Sequence, residues 1–374
     1  MKLNNPFVLF GYEGPRYFCD RVEETREMRR IVTNGGNITL LSPMRYGKTG
    51  LVCHVFNALS VQDGYSTIYI DLFGTQCMAD FTRLFANAVI GRLDTPIEKV
   101  DGIARRLIGS LRPKISYDDA SGKPTLSFDI AAADAESTLS QIFDYLKKLG
   151  RKVVIALDEF QQIANYPEKG IEATLRGYVQ FSPARFIFAG SKQHLMREMF
   201  TSPKRPFFQS TSLIPLGVIA EDAYYAFASR FFAAAGRTLS RSVFHALYER
   251  FDGITWYMQS ILWDFYASGE SIEDVRQLDA AVAQRVRAGE YDRHILMEVL
   301  PAGARRLLRA IAEDGKVKAP QSGAFIQKHG LRAASSVKTS LKMLVEKELV
   351  YPSAGGYVVY DRLMAEYLRS IATP

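Results

Sequence analysis

The first 220 residues alternate between short apolar, largely β-branched runs and longer segments with the three-to-four spacing of amphipathic helices. Strands are predicted at 38–41, 66–72, 152–160, 184–190 and 212–215. Helices are predicted at 23–33, 49–59, 78–93, 97–108, 135–149, 171–180 and 192–200. Residues 112–130 predict a hairpin or a polar insertion. Strands that alternate with helices indicate an α/β fold, with a mainly parallel sheet covered by helices on both faces.

From residue 220 the pattern becomes helical, with predicted helices at 223–235, 241–251, 255–267 and 272–288. Further helices are predicted at 302–312, 323–329 and 335–347. They are followed by a hairpin at 349–360, around Gly355 and Gly356, and by a helix at 362–371. Three helices and a β-hairpin form a winged helix-turn-helix. We therefore expect a core at 1–217 with an N-terminal strap at 1–22, a helical lid at 218–300 and a winged helix at 301–374.

Composition adds a charge asymmetry. The 374 residues carry a net charge of +7, and from residue 301 onward 12 Lys and Arg face 6 Asp and Glu. A basic C-terminal end favours an acidic partner such as nucleic acid, and a solvated basic face is the alternative. No apolar run approaches the ~20 residues that span a bilayer. The first residues lack a signal-peptide pattern and the three cysteines are scattered, so we expect a cytoplasmic protein without a membrane partner.

The segment after the first strand predicts a phosphate-binding loop. An apolar run ends at Leu41, and Gly47, Lys48 and Thr49 lead into a helix. Loop and helix N–H groups would point at phosphates, Lys48 would reach the outer phosphates, and the Thr49 hydroxyl would ligate Mg²⁺. The common pattern begins with glycine, where this chain has Ser42. The predicted nucleotide contacts are Ser42, Pro43, Met44, Arg45, Tyr46, Gly47, Lys48, Thr49 and Gly50.

A second buried strand ends in two adjacent carboxylates, Asp158 and Glu159. Because ligands sit at the carboxyl ends of parallel strands, Asp158 would face the Mg²⁺ of a nucleotide held by the loop. Glu159 would orient or deprotonate the water that attacks the γ-phosphate. The alternative interpretation of this pair is a helix N-cap followed by a first-turn acid.

Three other groups carry competing interpretations. Lys338 and Lys342 lie on the third helix of the winged module, where they would meet DNA phosphates, although such modules also serve only to pack against protein. Trp256 and Tyr257 follow a helix-breaking glycine and either pack in the core or close over the nucleotide. Asp20 and Arg21 precede the first helix and are, by default, a cap and a surface charge.

With these motifs in view, the chain resembles the prokaryotic AAA+-like P-loop ATPases, the group that includes the archaeal-type ATPases and the STAND signalling NTPases. The resemblance implies a P-loop αβα core, a helical lid and a winged-helix tail that bind ATP and Mg²⁺. It places Arg21 beside the nucleotide and Ser191 at the strand end that senses the γ-phosphate. It also implies an arginine finger acting on a neighbouring subunit, for which Arg205 is the candidate. No matching sensor arginine is found in the lid.

These features favour an Mg²⁺-dependent ATPase that acts as a conformational switch or DNA-associated motor. The alternative is a slowly hydrolysing, nucleotide-gated protein that recruits DNA or a protein partner. For either function, the expected partners include a homo-oligomer or another protein. A small-molecule phosphotransferase is disfavoured, because the sequence contains no separate acceptor-binding signature.

Overall fold

The computed structural model describes residues 3–93, 112–117, 124–353 and 355–371. The helix predicted at 97–108 lies outside them. The chain divides into two compact units. One comprises Val8–Tyr224 with Ile254–Trp256, and the other Met1–Phe7, Tyr225–Gly253 and Tyr257–Pro374. None of the helices in the described ranges has the length and apolarity needed to cross a bilayer.

The first unit contains a parallel sheet and a separate hairpin. Its strands are β1 (Ile38–Leu41), β2 (Ser66–Asp71), β3 (Arg112–Tyr117), β4 (Pro124–Asp129), β5 (Val153–Asp158), β6 (Arg185–Gly190) and β7 (Ser212–Pro215). In the described residues the sheet has the order β2-β5-β6-β1-β7, and every neighbouring pair is parallel. Asp71 lies opposite Asp158, and Leu41 opposite Gly190. The carboxyl ends of the strands therefore meet at one edge.

Strand β5 shows why this sheet has helices on both faces. All six of its residues are buried. Val153, Ile155 and Leu157 belong to one apolar cluster, and the alternating residues Val154 and Ala156 belong to another. Successive side chains of a strand point to opposite faces, so a continuous apolar run requires cover on both.

The helices of this unit supply that cover. They are α1 (Val22–Thr33), α2 (Lys48–Asp63), α3 (Met78–Leu93), α4 (Ala135–Lys148), α5 (Ile171–Gln180) and α6 (Gln193–Thr201). Phe81 and Phe85 of α3 join the cluster of Val153, whereas Leu51 of α2 joins the cluster of Val154. The predicted αβα arrangement is confirmed. Helix α2 runs four residues beyond its predicted end, to Asp63, and is followed by Gly64, which adopts a left-handed φ of 70° as the C-cap.

Strands β3 and β4 confirm the hairpin interpretation of residues 112–130. They pair antiparallel, with Arg112 opposite Asp129. The Phe128 N–H donates to Asn87 Oδ1 at 2.7 Å, and Asn87 Nδ2 donates back to the Phe128 carbonyl at 3.1 Å. These two bonds fix β4 to α3.

From residue 221 the chain is helical, as predicted, through α7 (Glu221–Ala234), α8 (Arg241–Arg250), α9 (Thr255–Ser268), α10 (Val275–Ala288) and α11 (Glu290–Glu298). Helix α10 begins three residues later than predicted, because Asp274 and Gln277 form a capping box. Helix α11 was not predicted. Its Tyr291 is 76% exposed, so the helix lacks the buried stripe that periodicity detects.

The winged module contains α12 (Ala302–Asp314), α13 (Gly323–Lys328), α14 (Ala334–Glu346), β8 (Val350–Ser353), β9 (Gly356–Val359) and α15 (Arg362–Ser370). Strands β8 and β9 pair antiparallel, with Ser353 opposite Gly356. A Cβ at Gly356 would lie 2.7 Å from the Val317 backbone. Glycine therefore allows the bridge between Val317 and Tyr357. The predicted winged helix-turn-helix is confirmed.

Candidate functional site

The loop between β1 and α2, residues Ser42–Gly47, is held by its backbone conformation. Gly47 adopts φ 87° and Arg45 φ 70°, and α2 begins at Lys48. Ser42 is fully buried, does not have a positive φ, and donates its hydroxyl to the Pro43 carbonyl at 3.0 Å. The position where the common pattern has glycine thus accepts a side chain here without strain.

Lys48 turns its ammonium group back into this loop. Its Nζ donates to the carbonyls of Ser42 at 3.3 Å and Pro43 at 2.9 Å, and the residue is only 7% exposed. Burial lowers the pKa of Lys48, and the charges of Asp158 and Glu159 only partly oppose that shift. A buried cation held by neutral carbonyls at a helix N-terminus is suited to receive an anion.

Thr49 and Asp158 come together as expected. Thr49 Oγ1 donates to Asp158 Oδ2 at 3.2 Å, and Asp158 is buried at the end of β5. Tyr69 of β2, which sequence reasoning missed, donates its hydroxyl to the same oxygen at 2.5 Å and lies 3.5 Å from Thr49 Oγ1. Burial, followed by the charge of Asp158, raises the pKa of Tyr69. The only sequence signal that could have indicated Tyr69 was the presence of a tyrosine on the strand beside that of Asp158.

Glu159 directly follows β5 with a left-handed φ of 53°. The Ser191 hydroxyl, just beyond β6, donates to Glu159 Oε2 at 2.7 Å. Gln161, a second residue that sequence reasoning missed, donates its Nε2 to the same oxygen. Glu159 is the N-cap of a 3-10 helix, Phe160–Asn165, but its side chain forms no cap hydrogen bond. The alternative interpretation, with Asp158 as N-cap and Glu159 as first-turn acid, is therefore displaced by one residue, because Asp158 ends β5 and Glu159 occupies the N-cap position.

Arg21 corrects one expectation. It is not a surface charge, because it is only 5% exposed. Its guanidinium donates to Glu24 Oε1 at 2.8 Å, to the Gly217 carbonyl at 2.7 Å and to the Tyr46 carbonyl at 3.4 Å. Arg21 therefore lies against the backbone of the loop.

Arg205 is engaged within its own unit. Its guanidinium lies 2.8 Å from Glu172 Oε1 and 3.8 Å from Glu198 Oε1. Burial raises the pKa of Glu172, and the charge of Arg205 only partly opposes this. Its described partners are thus two carboxylates of the same chain, and its action on a neighbouring subunit stays a prediction.

The start of α9 touches the loop. Thr255 Oγ1 donates to the Tyr46 carbonyl at 3.2 Å, and the Trp256 N–H donates to the Arg45 carbonyl at 3.0 Å. The Arg45 guanidinium lies 4.6 Å from the centre of the Trp256 ring. Tyr257, in contrast, is 1% exposed and stacks on Phe251. Core packing thus describes Tyr257, whereas Trp256 packs against Arg45 of the loop.

In the winged module, Lys338 and Lys342 are both exposed on α14. Lys342 lies 3.8 Å from Glu346 on the same helix. A cavity of about 30 Å³ in the same module is lined by Gly303, Arg306, Leu307, Leu331, Arg332, Ser336, Val337 and Ser340. Arg306 and Arg332, which line this cavity, are two further exposed cations of the module.

Two family models match the chain. Residues 18–206 match an ATPase domain found predominantly in Archaea, and residues 291–370 match a probable winged helix domain. The first match covers half of the chain and contains the loop, Asp158, Glu159 and Ser191. No curated protein matches this sequence.

Solved structures share the fold over nearly the whole chain at low sequence identity. A Walker-type ATPase of Pyrococcus abyssi is 17% identical, with a TM-score of 0.67, and the match covers 97% of this chain and 99% of that one. The ORC2 protein of Aeropyrum pernix, solved as ADPNP-ADP complexes, is 16% identical, with a TM-score of 0.59 and coverage of 99% and 98%. The ORC1 protein of the same organism, in complex with DNA, is 15% identical, with a TM-score of 0.52 and coverage of 99% and 98%.

Proposed function

This chain belongs to the ATPase family found predominantly in Archaea, and we propose that it is an Mg²⁺-dependent ATPase whose nucleotide state rearranges the lid and the winged helix. Membership of the family makes the chain an ATPase that binds and hydrolyses nucleotide. The metal dependence, the switch, the DNA partner, the three-domain division at 217 and 300 and the roles of individual residues are our proposals.

One observation carries the assignment of residues. Strand β6 pairs with β5 on one side and with β1 on the other, so the segments that follow these strands share one edge. Lys48 and Thr49 follow β1, Asp158 ends β5 and Ser191 follows β6. A cation, a hydroxyl, a carboxylate and a polar sensor at one sheet edge match the needs of phosphoryl transfer to water.

In the proposed reaction Lys48 leaves its loop carbonyls and binds the outer phosphates. Glu159 accepts a proton from the water whose oxygen bonds to the γ-phosphorus, while the bond from that phosphorus to the bridging oxygen breaks and ADP leaves. Ser191, already bonded to Glu159, is placed to contact the γ-phosphate. Arg21 holds the loop backbone in position, and Arg205 is the proposed finger for a neighbouring subunit.

The residues present fit Mg²⁺. Thr49 and Asp158 offer two hard oxygen atoms that already share a hydrogen bond, and Mg²⁺ typically takes one or two carboxylates together with phosphate and water ligands. When bound, Mg²⁺ would supply positive charge at the phosphate oxygens.

The contacts of Thr255 and Trp256 support a switch. Both residues begin α9, and both bind carbonyls of the loop. A nucleotide that reorders Arg45 or Tyr46 would change these contacts, and α9 would carry the change along its length.

The chain has two tryptophans, so Trp263→Phe leaves Trp256 as the only one. Its fluorescence should change on ATP binding, and less with ADP. An unchanged signal at saturating ATP would contradict the switch.

A DNA partner for the winged module is supported by the exposed Lys338 and Lys342 and by Arg306 and Arg332. The ORC1 protein of Aeropyrum pernix has been solved in complex with DNA, and the fold shared with it is compatible with the same class of partner here.

The experiment that tests the proposal is ATP turnover by the purified full chain at several protein concentrations, with and without duplex DNA and with and without Mg²⁺. Lys48→Ala should abolish turnover. Glu159→Gln should keep nucleotide binding and lower turnover on the order of 10²–10⁴-fold. Intact turnover by Glu159→Gln would exclude that residue as the base, and activity without divalent cations would exclude the metal.

The second candidate function, a slowly hydrolysing nucleotide-gated scaffold, is favoured by the bond from Tyr69 to Asp158, because that bond occupies the carboxylate that the metal needs. It predicts tight nucleotide retention with negligible turnover. Equal affinity for DNA or protein partners with ATP analogue, ADP or no nucleotide would contradict it.

A further inference from the structure

We infer that Gln161 is a positioning residue for Glu159; this rests on the proposed role of Glu159 as the base. Gln161 is 2% exposed and lies two residues beyond Glu159 in the 3-10 helix. Its Nε2 and the Ser191 hydroxyl both donate to Glu159 Oε2. One oxygen of the carboxylate is therefore fixed by two donors that come from different segments of the sheet edge.

The orientation of the Gln161 amide follows from the chemistry of its partner. An ionised carboxylate only accepts hydrogen bonds, so the amide nitrogen must face Glu159. The amide oxygen then points into the protein, where Gln161 Oε1 is buried and has no hydrogen-bond partner within the part of the chain described. A buried polar atom without a partner costs free energy of folding. An apolar side chain of the same length would avoid that cost, so packing alone does not explain a glutamine here.

The surroundings hold Gln161 in this orientation. A Cβ at Gly190, the last residue of β6, would lie 2.0 Å from Gln161 Oε1 and 2.9 Å from Met196. The strand that delivers Ser191 thus has room for Gln161 only because its last residue is glycine. The backbone of Glu159 is held as well. Its N–H donates to Asp158 Oδ1 at 2.9 Å, and its positive φ sets the direction of its side chain.

The two carboxylate oxygens of Glu159 therefore have different roles. Oε2 is saturated by Gln161 and Ser191, which leaves Oε1 to meet the attacking water. Without Gln161 the carboxylate would rotate about a single remaining donor, Ser191. A misoriented base slows the chemical step and leaves nucleotide binding unchanged, since Gln161 acts through Glu159.

The test compares Gln161→Met, which keeps the length of the side chain and removes its donor, with Gln162→Met in the full chain. Gln162 is the matched control because its Nε2 binds the Thr75 carbonyl at 3.2 Å instead of Glu159. We expect Gln161→Met to lower kcat about ten-fold or more, to change KM and the Kd for a fluorescent ATP analogue less than about two-fold, and to leave the midpoint of thermal unfolding unchanged or raised. Gln161→Glu, of the same size, should lower kcat further because it places a second carboxylate against the first.

A double variant distinguishes a positioning role of Gln161 from a purely structural one. If Gln161 acts through Glu159, adding Gln161→Met to Glu159→Gln should leave the residual turnover unchanged. Three results would overturn the inference while Glu159→Gln keeps only its low residual turnover. They are an equal loss in both backgrounds, an equal loss in Gln162→Met, and an unaltered kcat in Gln161→Met. Full turnover by Glu159→Gln alone would overturn the assignment of the base, and the inference with it.

Discussion

The hydroxyl of Tyr69 donates a 2.5 Å hydrogen bond to Asp158 Oδ2, the oxygen that also accepts from Thr49. Tyr69 lies on β2, the edge strand beside β5, and Asp158 closes β5. Both proposed metal ligands are therefore already bonded to each other, and a third group competes for the carboxylate. Mg²⁺ binding as proposed would have to displace or reorganise the tyrosine hydroxyl.

Tyr69→Phe removes this competitor and keeps the ring. We expect the Mg²⁺ concentration that gives half-maximal binding of an ATP analogue to fall on the order of ten-fold, because a hydrogen bond to a charged group no longer has to be broken. The measurement is a Mg²⁺ titration followed by nucleotide fluorescence. Tyr65→Phe is the control, since its hydroxyl binds the Val32 carbonyl instead. A rise in the required Mg²⁺ would mean that Tyr69 supports Asp158 in the metal-bound state.

The sheet was predictable from sequence because its central strands β5, β6 and β1 are buried on both faces, which forces continuous apolar runs such as residues 153–157. The strand ends then identified Lys48, Thr49, Asp158, Glu159 and Ser191 as candidates. Tyr69 and Gln161 were missed for a physical reason. A tyrosine in a strand and a glutamine in a short helix have ordinary structural roles, and only the tertiary pairing of β2 with β5 and the approach of Gly190 reveal their contacts with the carboxylates.

The environment of Arg21 was also not predictable from the sequence, since a charged residue before a helix is normally exposed. Here it joins Glu24 to the carbonyls of Gly217 and Tyr46. Arg21→Met should lower the free energy of unfolding by about 1–3 kcal/mol, because it removes the hydrogen bonds that the buried guanidinium makes to Glu24 and to the two carbonyls, and should weaken nucleotide binding. Urea unfolding and nucleotide titration measure the two effects. Arg26→Met, on the exposed side of α1, should change neither, and equal stability of Arg21→Met would contradict the prediction.

The pairing of Arg205 with Glu172 at 2.8 Å allows a test of action between subunits. If Arg205 serves a neighbouring active site, specific turnover should rise with protein concentration, and Arg205→Ala should remove that rise. Glu172→Gln, which weakens the pairing within the chain, should enhance it. Lys204→Ala is the adjacent exposed control. Specific turnover that does not depend on concentration in any variant would limit Arg205 to its ion pair.

The stability of the nucleotide-free protein should depend on pH through His54. Its ring stacks on Phe18 with centroids 4.2 Å apart and bonds to the Tyr12 hydroxyl at 2.9 Å, and burial lowers its pKa below the ordinary 6.5. As the pH falls through 6.5, the unfolded chain takes up the proton before the folded one does, so the free energy of unfolding decreases. Above pH 6.5 the free energy of unfolding should keep its full value.

The measurement is the urea midpoint between about pH 7.5 and 5, over which histidine titrates. His54→Phe keeps an aromatic ring beside Phe18 and should flatten the pH dependence, whereas His294→Phe, at a side chain that is 62% exposed, is the control. A dependence equally steep in His54→Phe would assign it to other groups.

Salt dependence distinguishes DNA binding from protein packing by the winged module. Phosphate contacts release counterions, so each lost contact reduces the slope of log affinity against log salt by roughly 0.9. The double variant Lys338→Gln, Lys342→Gln should therefore bind labelled duplex more weakly, with a slope smaller by roughly two, as measured by fluorescence anisotropy at several salt concentrations. Lys328→Gln is the matched control, because Lys328 lies in the same module but pairs with Asp314 at 2.6 Å. An unaltered slope in the double variant would assign the exposed face of α14 to a protein partner.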